Sequence, residues 1–121
     1  MSYDINFKVK VEGLTDRYLT VGECTANTTW NLRDMIVKST GLEWKNEANN
    51  GLCKDVIPHI EHGYTELVQH PEKYKRYESS NGWGDIDGCQ EFFAQILYDW
   101  NEFSTKPWNE DLAQVACFGI E

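Results

Sequence analysis

Residues 3–11 alternate without a break. Tyr3, Ile5, Phe7, Val9 and Val11 fall on one face, and Asp4, Asn6, Lys8, Lys10 and Glu12 follow on the other. A period of two with apolar and polar faces predicts a half-buried β-strand. Gly13 ends it. A second, shorter strand is expected over residues 17–24, where Tyr18, Thr20 and Gly22 alternate with Leu19 and Val21.

The period then changes. Thr28 or Thr29 can cap a helix that runs to about Ser39, with Leu32, Met35 and Ile36 on its apolar side and Gly41 at its end. Residues 41–51 are mostly polar and read as a loop, from which Leu42 and Trp44 turn inward. Residues 55–70 predict a longer helix, because Val56, Ile57, Ile60, Tyr64, Leu67 and Val68 share one helical face. Pro58 fits only its first turn, where a missing N–H has no helical partner to lose. Pro71 stops that helix, and a short one is expected over residues 72–78.

Ser79 to Gly84 reads as a turn. The last long helix is expected over residues 86–103, with Phe92, Phe93, Ile96, Leu97, Trp100 and Phe103 as a wide apolar stripe. Asp85 and Asp87 stand where a helix start favours carboxylates. Pro107 closes this region, and residues 112–120 alternate loosely as a final strand, antiparallel to the first. The expected fold is α+β, one domain over residues 1–121: a small antiparallel sheet of the N- and C-terminal strands, covered by three to four helices.

Composition narrows the function classes. Twenty acidic residues against eleven basic ones give a net charge of −9. That opposes generic DNA or RNA binding, which needs basic surface, and favours attraction to basic protein surfaces. No apolar run is long enough to span a bilayer, and the first residues lack a basic region followed by an apolar block, so a cytoplasmic protein of the host cell is expected. Cys24, Cys53, Cys89 and Cys117 are scattered, without a Cys-x-x-Cys spacing, and are expected as free, buried thiols. Asn27-Thr28-Thr29 is a glycosylation sequon in form alone.

The candidate chemistry is sparse. His59, His62 and Glu66 fall on one helix face at a spacing that can converge on a metal such as zinc, although one helix supplies too few well-aimed ligands. A solvated helix face explains the same three residues. Asp85, Asp87 and Gly88 resemble part of a calcium loop, but in that register Trp83 and Ala94 occupy ligand positions, which excludes it. Gly82-Trp83-Gly84 before a helix could offer N–H groups to an anion. Asp85 opposes that, and a tight turn with Trp83 folded onto the core is the better reading. Lys73, Tyr74, Lys75, Arg76 and Tyr77 form a basic, aromatic patch able to stack on a nucleotide or meet an acidic partner, or else a surface helix balanced by Glu72 and Glu78. Thr25, Asn27, Thr28, Thr29 and Asn31 form a polar cluster that could bond a ligand, with capping as the plainer explanation. No nucleophile–base arrangement is legible, and no cofactor is expected.

Several of these segments carry a resemblance. The opening Met1-Ser2-Tyr3-Asp4-Ile5, the Asn27-x-Thr29-x-Asn31 helix start, Ile57-Pro58, Pro71-Glu72-Lys73-Tyr74, and Asn81-Gly82-Trp83-Gly84 followed by Gly88 and an apolar helix resemble a family of small uncharacterised proteins of bacteriophages, prophages and mobile elements. The Asn-Gly-Trp-Gly turn is the most specific part. The chain departs from that pattern in a longer tail after Phe103, with Trp108 and Phe118. No catalytic residue carries over. The resemblance implies stoichiometric binding: an anti-defence inhibitor or accessory factor docked on a host protein or defence complex, or a binder that sequesters a nucleotide immune signal.

Three expectations follow. The first is a non-enzymatic protein-binding inhibitor, which the charge and the surplus of aromatic residues (five Trp, six Tyr, five Phe) favour. The second is a small-ligand binder whose pocket is lined by Lys73, Tyr74, Arg76, Tyr77, Trp83, Asn27, Thr29 and Asn31, at a subunit interface if the chain is a homo-oligomer. The third, ranked last, is a metal-dependent enzyme using His59, His62 and Glu66.

Overall fold

The computed structural model describes residues 1–13 and 17–121. Strand β1 (Ser2–Lys10) is the centre of the sheet, and its alternation is realised as read: Tyr3, Ile5 and Phe7 are buried while Asp4 is exposed. It pairs antiparallel with β2 (Tyr18–Gly22), with β3 (Asn27–Thr29) and with β4 (Cys117–Ile120), each along a different stretch. The N- and C-terminal strands thus lie side by side, with Phe7 opposite Phe118 and Ile5 opposite Ile120.

Among the described residues four helices complete the α+β fold: α1 (Arg33–Thr40), α2 (Cys53–Gln69), α3 (Ile86–Ser104) and α4 (Glu110–Val115). Leu32, Met35, Ile36, Ile60, Leu67, Phe93 and Ile96 pack against the buried side of β1 and β4 in one core. Trp44 reaches into it from the 41–51 loop and meets Tyr3, Phe92 and Phe118 edge-on. The same loop runs along β4, where Phe118 N–H donates to Gly51 and Ile120 N–H to Glu47. That contact covers backbone groups a free strand edge would leave unpaired.

Helices α1, α2 and α3 meet at Gly63. A methyl group there would come within 2.7 Å of the Thr40 methyl and 3.0 Å of the Phe93 ring, so the glycine is what allows this approach.

Several expectations are corrected. Residues 27–29 are a strand instead of the start of a helix, because buried, β-branched Thr28 pairs with Tyr3. Thr29 still caps, but it caps the 3₁₀ turn Trp30–Leu32, and α1 begins only at Arg33. Helix α2 starts at Cys53, which moves Pro58 past the first turn and leaves the Lys54 carbonyl without its helical donor. Val68 lies off the apolar face, half exposed.

The helix expected over 72–78 is two 3₁₀ turns, Pro71–Lys73 and Lys75–Tyr77, interrupted at Tyr74, which is buried with its hydroxyl donating to Glu66 at 3.0 Å. Residues 110–115 form α4 instead of the start of a strand, with Glu110 and Asp111 in its first turn. Trp83 does not fold onto the core: its side chain is 72% exposed, and the backbone of Gly84 packs on Leu32 in its place.

Candidate functional site

The polar cluster and the start of α3 come together. Thr25, Ala26, Asn27 and Thr28 form one wall of an open cleft of about 270 Å³. Gly88, Glu91, Phe92 and Gln95 form the other. The spacing of those four residues on α3 is that of a single helical face, so the helix period itself builds the wall. Phe92 and Ala26 are buried and give the cleft an apolar floor, while Glu91 is exposed at its rim.

Carboxylates hold both walls in place. Asp99 accepts the Thr25 N–H at 2.8 Å, the Thr25 hydroxyl at 3.2 Å and the Gln95 amide at 2.9 Å. Asp4 accepts the Asn27 amide at 2.6 Å. At the helix start, Asp85 accepts the Gly88 N–H at 2.7 Å and Glu78 accepts the Ile86 N–H at 3.0 Å. Two of the N–H groups at the start of α3 that could have met an anion, those of Ile86 and Gly88, are therefore already paired with protein carboxylates.

Two exposed tryptophans belong to the chain segments that lead into these walls. Trp30 follows β3, stacks obliquely on Tyr3 with ring centroids 6.0 Å apart, and donates its indole N–H to the Ser2 carbonyl at 2.8 Å. Trp83 precedes α3. Its carbonyl accepts the Asn31 amide at 3.0 Å, and its N–H donates to Asn81 at 2.9 Å. Asn31 thus joins the two segments, which the sequence reading had placed in one candidate site without a reason for their contact.

The basic patch is differently arranged. Tyr74 is buried, and burial together with the Glu66 carboxylate pushes its phenol up to about 12. The Arg76 guanidinium lies over the ring of Tyr77, 4.9 Å from its centre, and donates to its hydroxyl at 2.8 Å. Lys75 pairs with Glu78 at 3.4 Å. None of Lys73, Tyr74, Arg76 or Tyr77 lines the cleft. Of the residues expected to share one ligand pocket, only Asn27 lines this one; Thr29 caps the turn beside it, and Asn31 braces Trp83.

The histidines stand apart on α2. His59 and His62 line a shallow hollow with Thr40, Gly41 and Pro58, and His59 Nδ1 lies 3.3 Å from the Thr40 carbonyl. Glu66 is turned away toward Tyr74 and His70. Among the described residues no three His, Cys, Asp or Glu side chains are grouped to hold a metal.

The four cysteines are unpaired. Burial pushes the thiols of Cys24 and Cys89 up to about 12 and that of Cys53 higher still, the reverse of what a nucleophile needs. Cys24 is only partly buried, against the expectation that all four are buried. Among the described residues no helix is long and apolar enough to cross a membrane.

Sequence reasoning missed Glu91, Gln95 and Asp99. Their signal is a polar i, i+4, i+8 row on a helix otherwise read for its apolar stripe. Comparison with protein-family models, with curated proteins and with solved structures finds no match for this chain.

Proposed function

We propose that the chain is a stoichiometric protein-binding factor, without a reaction of its own, that docks on another protein through the surface around Trp30, Trp83 and the adjoining cleft. The observation that carries this reading is the exposure of large aromatic side chains on ordered segments. Trp30 is 42% exposed with its indole N–H bonded to the Ser2 carbonyl, and Trp83 is 72% exposed on a turn whose backbone is held by Asn31 and Asn81. A monomer gains little by holding a tryptophan in water. An interface gains an anchor whose ordering cost is partly met.

The net charge of −9 adds long-range attraction to a basic partner surface. The resemblance to mobile-element proteins adds the context, an inhibitor or accessory factor acting on a host defence complex. The nucleotide-sequestering alternative has weaker support, because Tyr74 is buried and Arg76 and Tyr77 are engaged with each other, away from the cleft.

The test is native mass spectrometry of the protein purified gently from a bacterial host with active defence systems, alongside Trp83→Ala and Trp30→Ala. A stoichiometric complex with a host protein that either substitution removes supports the reading. A small-molecule adduct that survives both substitutions overturns it in favour of ligand sequestration.

A further inference from the structure

We infer that the cleft between residues 25–28 and α3 receives one cationic side chain, an arginine or lysine, of the protein partner. This rests on the protein-binding reading and adds the chemistry that the partner must present.

The lining decides the sign. Among the described residues no Lys, Arg or His lines the cleft, whereas Glu91 does, and Asp87 lies one turn earlier on the same helix. Carboxylates already take several donors of the walls: the Thr25 N–H and hydroxyl and one N–H of the Gln95 amide donate to Asp99, one N–H of the Asn27 amide donates to Asp4, and the Gly88 N–H donates to Asp85. Because those carboxylates fix which way the two amides face, the side-chain oxygens of Asn27 and Gln95 and the carboxylate of Glu91 stay free as acceptors, and the charge that the lining carries is negative. That charge favours an incoming cation that donates. A guanidinium or ammonium does so with several N–H groups and meets a favourable charge, while a phosphate meets the negative charge of Asp85, Asp87 and Glu91 with no cation among the lining residues to offset it.

Size and polarity agree. At about 270 Å³ the cleft falls just below the roughly 300–1,000 Å³ typical of small-molecule sites, and suits one side chain better than a nucleotide. Its floor of Phe92 and Ala26 is apolar, which matches the methylene stem of a long basic side chain whose charged end stays at the rim.

The test uses N-acetyl-arginine methylamide, with the glutamate analogue as control, titrated into the isotope-labelled full chain at physiological salt and followed by amide NMR shifts. The expected result is saturable shifts confined to Thr28, Gly88 and the Gln95 side-chain amide for the arginine probe only. Glu91→Lys should weaken that response by about tenfold or more. Glu61→Lys, which makes the same charge change on α2 outside the cleft, should leave it nearly intact. Gln95→Lys, which supplies a cation within the cleft, should mimic the loss, and its own spectrum shows whether the fold persists. Shifts scattered over the acidic surface, or equal losses in Glu91→Lys and Glu61→Lys, overturn the inference. If the probe fails while a Trp83-dependent complex still forms, the cleft assignment falls and the protein-binding reading stands. If the probe saturates the cleft but no protein complex forms, the reverse holds.

Discussion

Asp99 accepts the backbone N–H of Thr25 across 2.8 Å, joining the fourth turn of α3 to the segment that leads into β3. The same carboxylate accepts the Thr25 hydroxyl and the Gln95 amide, so one side chain fixes both walls of the cleft. Hydrogen bonds to a charged acceptor contribute roughly 1.5–3 kcal/mol, and the partial exposure of Asp99 places its loss at the low end. Asp99→Ala is therefore expected to cost about 1–2 kcal/mol in urea unfolding. Its larger effect is to free the Gln95 amide and loosen residues 25–28, read as faster hydrogen exchange at Thr25. Unchanged exchange there would show that β-pairing alone holds the wall.

Gly63 sets a second expectation. In an open helix Gly→Ala stabilises by up to about 1 kcal/mol. Here the added methyl meets the Thr40 methyl at 2.7 Å and the Phe93 ring at 3.0 Å. Neither yields easily, since Thr40 is buried with its hydroxyl donating to Ile36 at 2.7 Å and Phe93 is fully buried. Overpacking of this kind costs about 1–3 kcal/mol and outweighs the helix gain. Gly63→Ala should lower the melting temperature by a few degrees. A rise would mean that α1 and α2 separate without penalty.

How much of this was legible in the sequence depended on whether one element or several decided a residue's place. The alternation of Tyr3, Ile5 and Phe7 and the stripe of Phe92, Phe93 and Ile96 are properties of single elements, and both were read correctly. Local spacing allows Thr28 or Thr29 to cap a helix; pairing with Ser2 and Tyr3, more than twenty residues away, makes both part of a strand, and Thr29 caps only the 3₁₀ turn that follows. The break at Tyr74 comes from a contact with Glu66 on another element. The candidate cleft was half legible. The Thr25–Asn31 cluster stood out as polar residues in a row, whereas Glu91, Gln95 and Asp99 lie on the polar side of an amphipathic helix, where such residues ordinarily mean only solvent.

The thiols give a pH dependence with a definite sign. Cys24, Cys53 and Cys89 each have a folded pKa raised by burial above the ordinary value of 9.0. A raised pKa means that the folded chain holds the proton more tightly than the unfolded chain. The stabilisation is complete below the unfolded pKa and is lost as the pH climbs from about 9 toward the folded values. Each such thiol contributes a slope of up to about 1.4 kcal/mol per pH unit in that window. Urea midpoints should be flat in this respect from pH 7 to 8.5 and fall above pH 9, and Cys89→Ala should reduce the fall. At pH 8, a thiol reagent should label Cys89 and Cys53 only after denaturant is added. Rapid labelling of Cys89 in the native chain would contradict its burial.

Trp83 separates binding from stability. Its side chain is 72% exposed, and what fixes the turn is backbone: its carbonyl to Asn31, its N–H to Asn81, and Gly84 against Leu32. Trp83→Ala leaves all of these in place, so unfolding free energy should change by less than about 0.5 kcal/mol. Asn31→Ala removes the amide that holds the turn and should cost about 1 kcal/mol, while leaving the indole present but less well placed. If Trp83 is an anchor, loss of the indole should weaken a partner complex by about 2 kcal/mol or more, a fall in affinity of over tenfold. Asn31→Ala should weaken it less, mainly through slower association. Acrylamide quenching provides a direct readout, because the exposed indoles of Trp30, Trp83 and Trp108 dominate the quenchable emission and Trp44 is shielded. Partner binding should protect the Trp30 and Trp83 emission, and Trp83→Ala should remove its share before any partner is added. Protection that persists when Trp30 and Trp83 are both replaced by Ala would move the interface to the surface around Trp108.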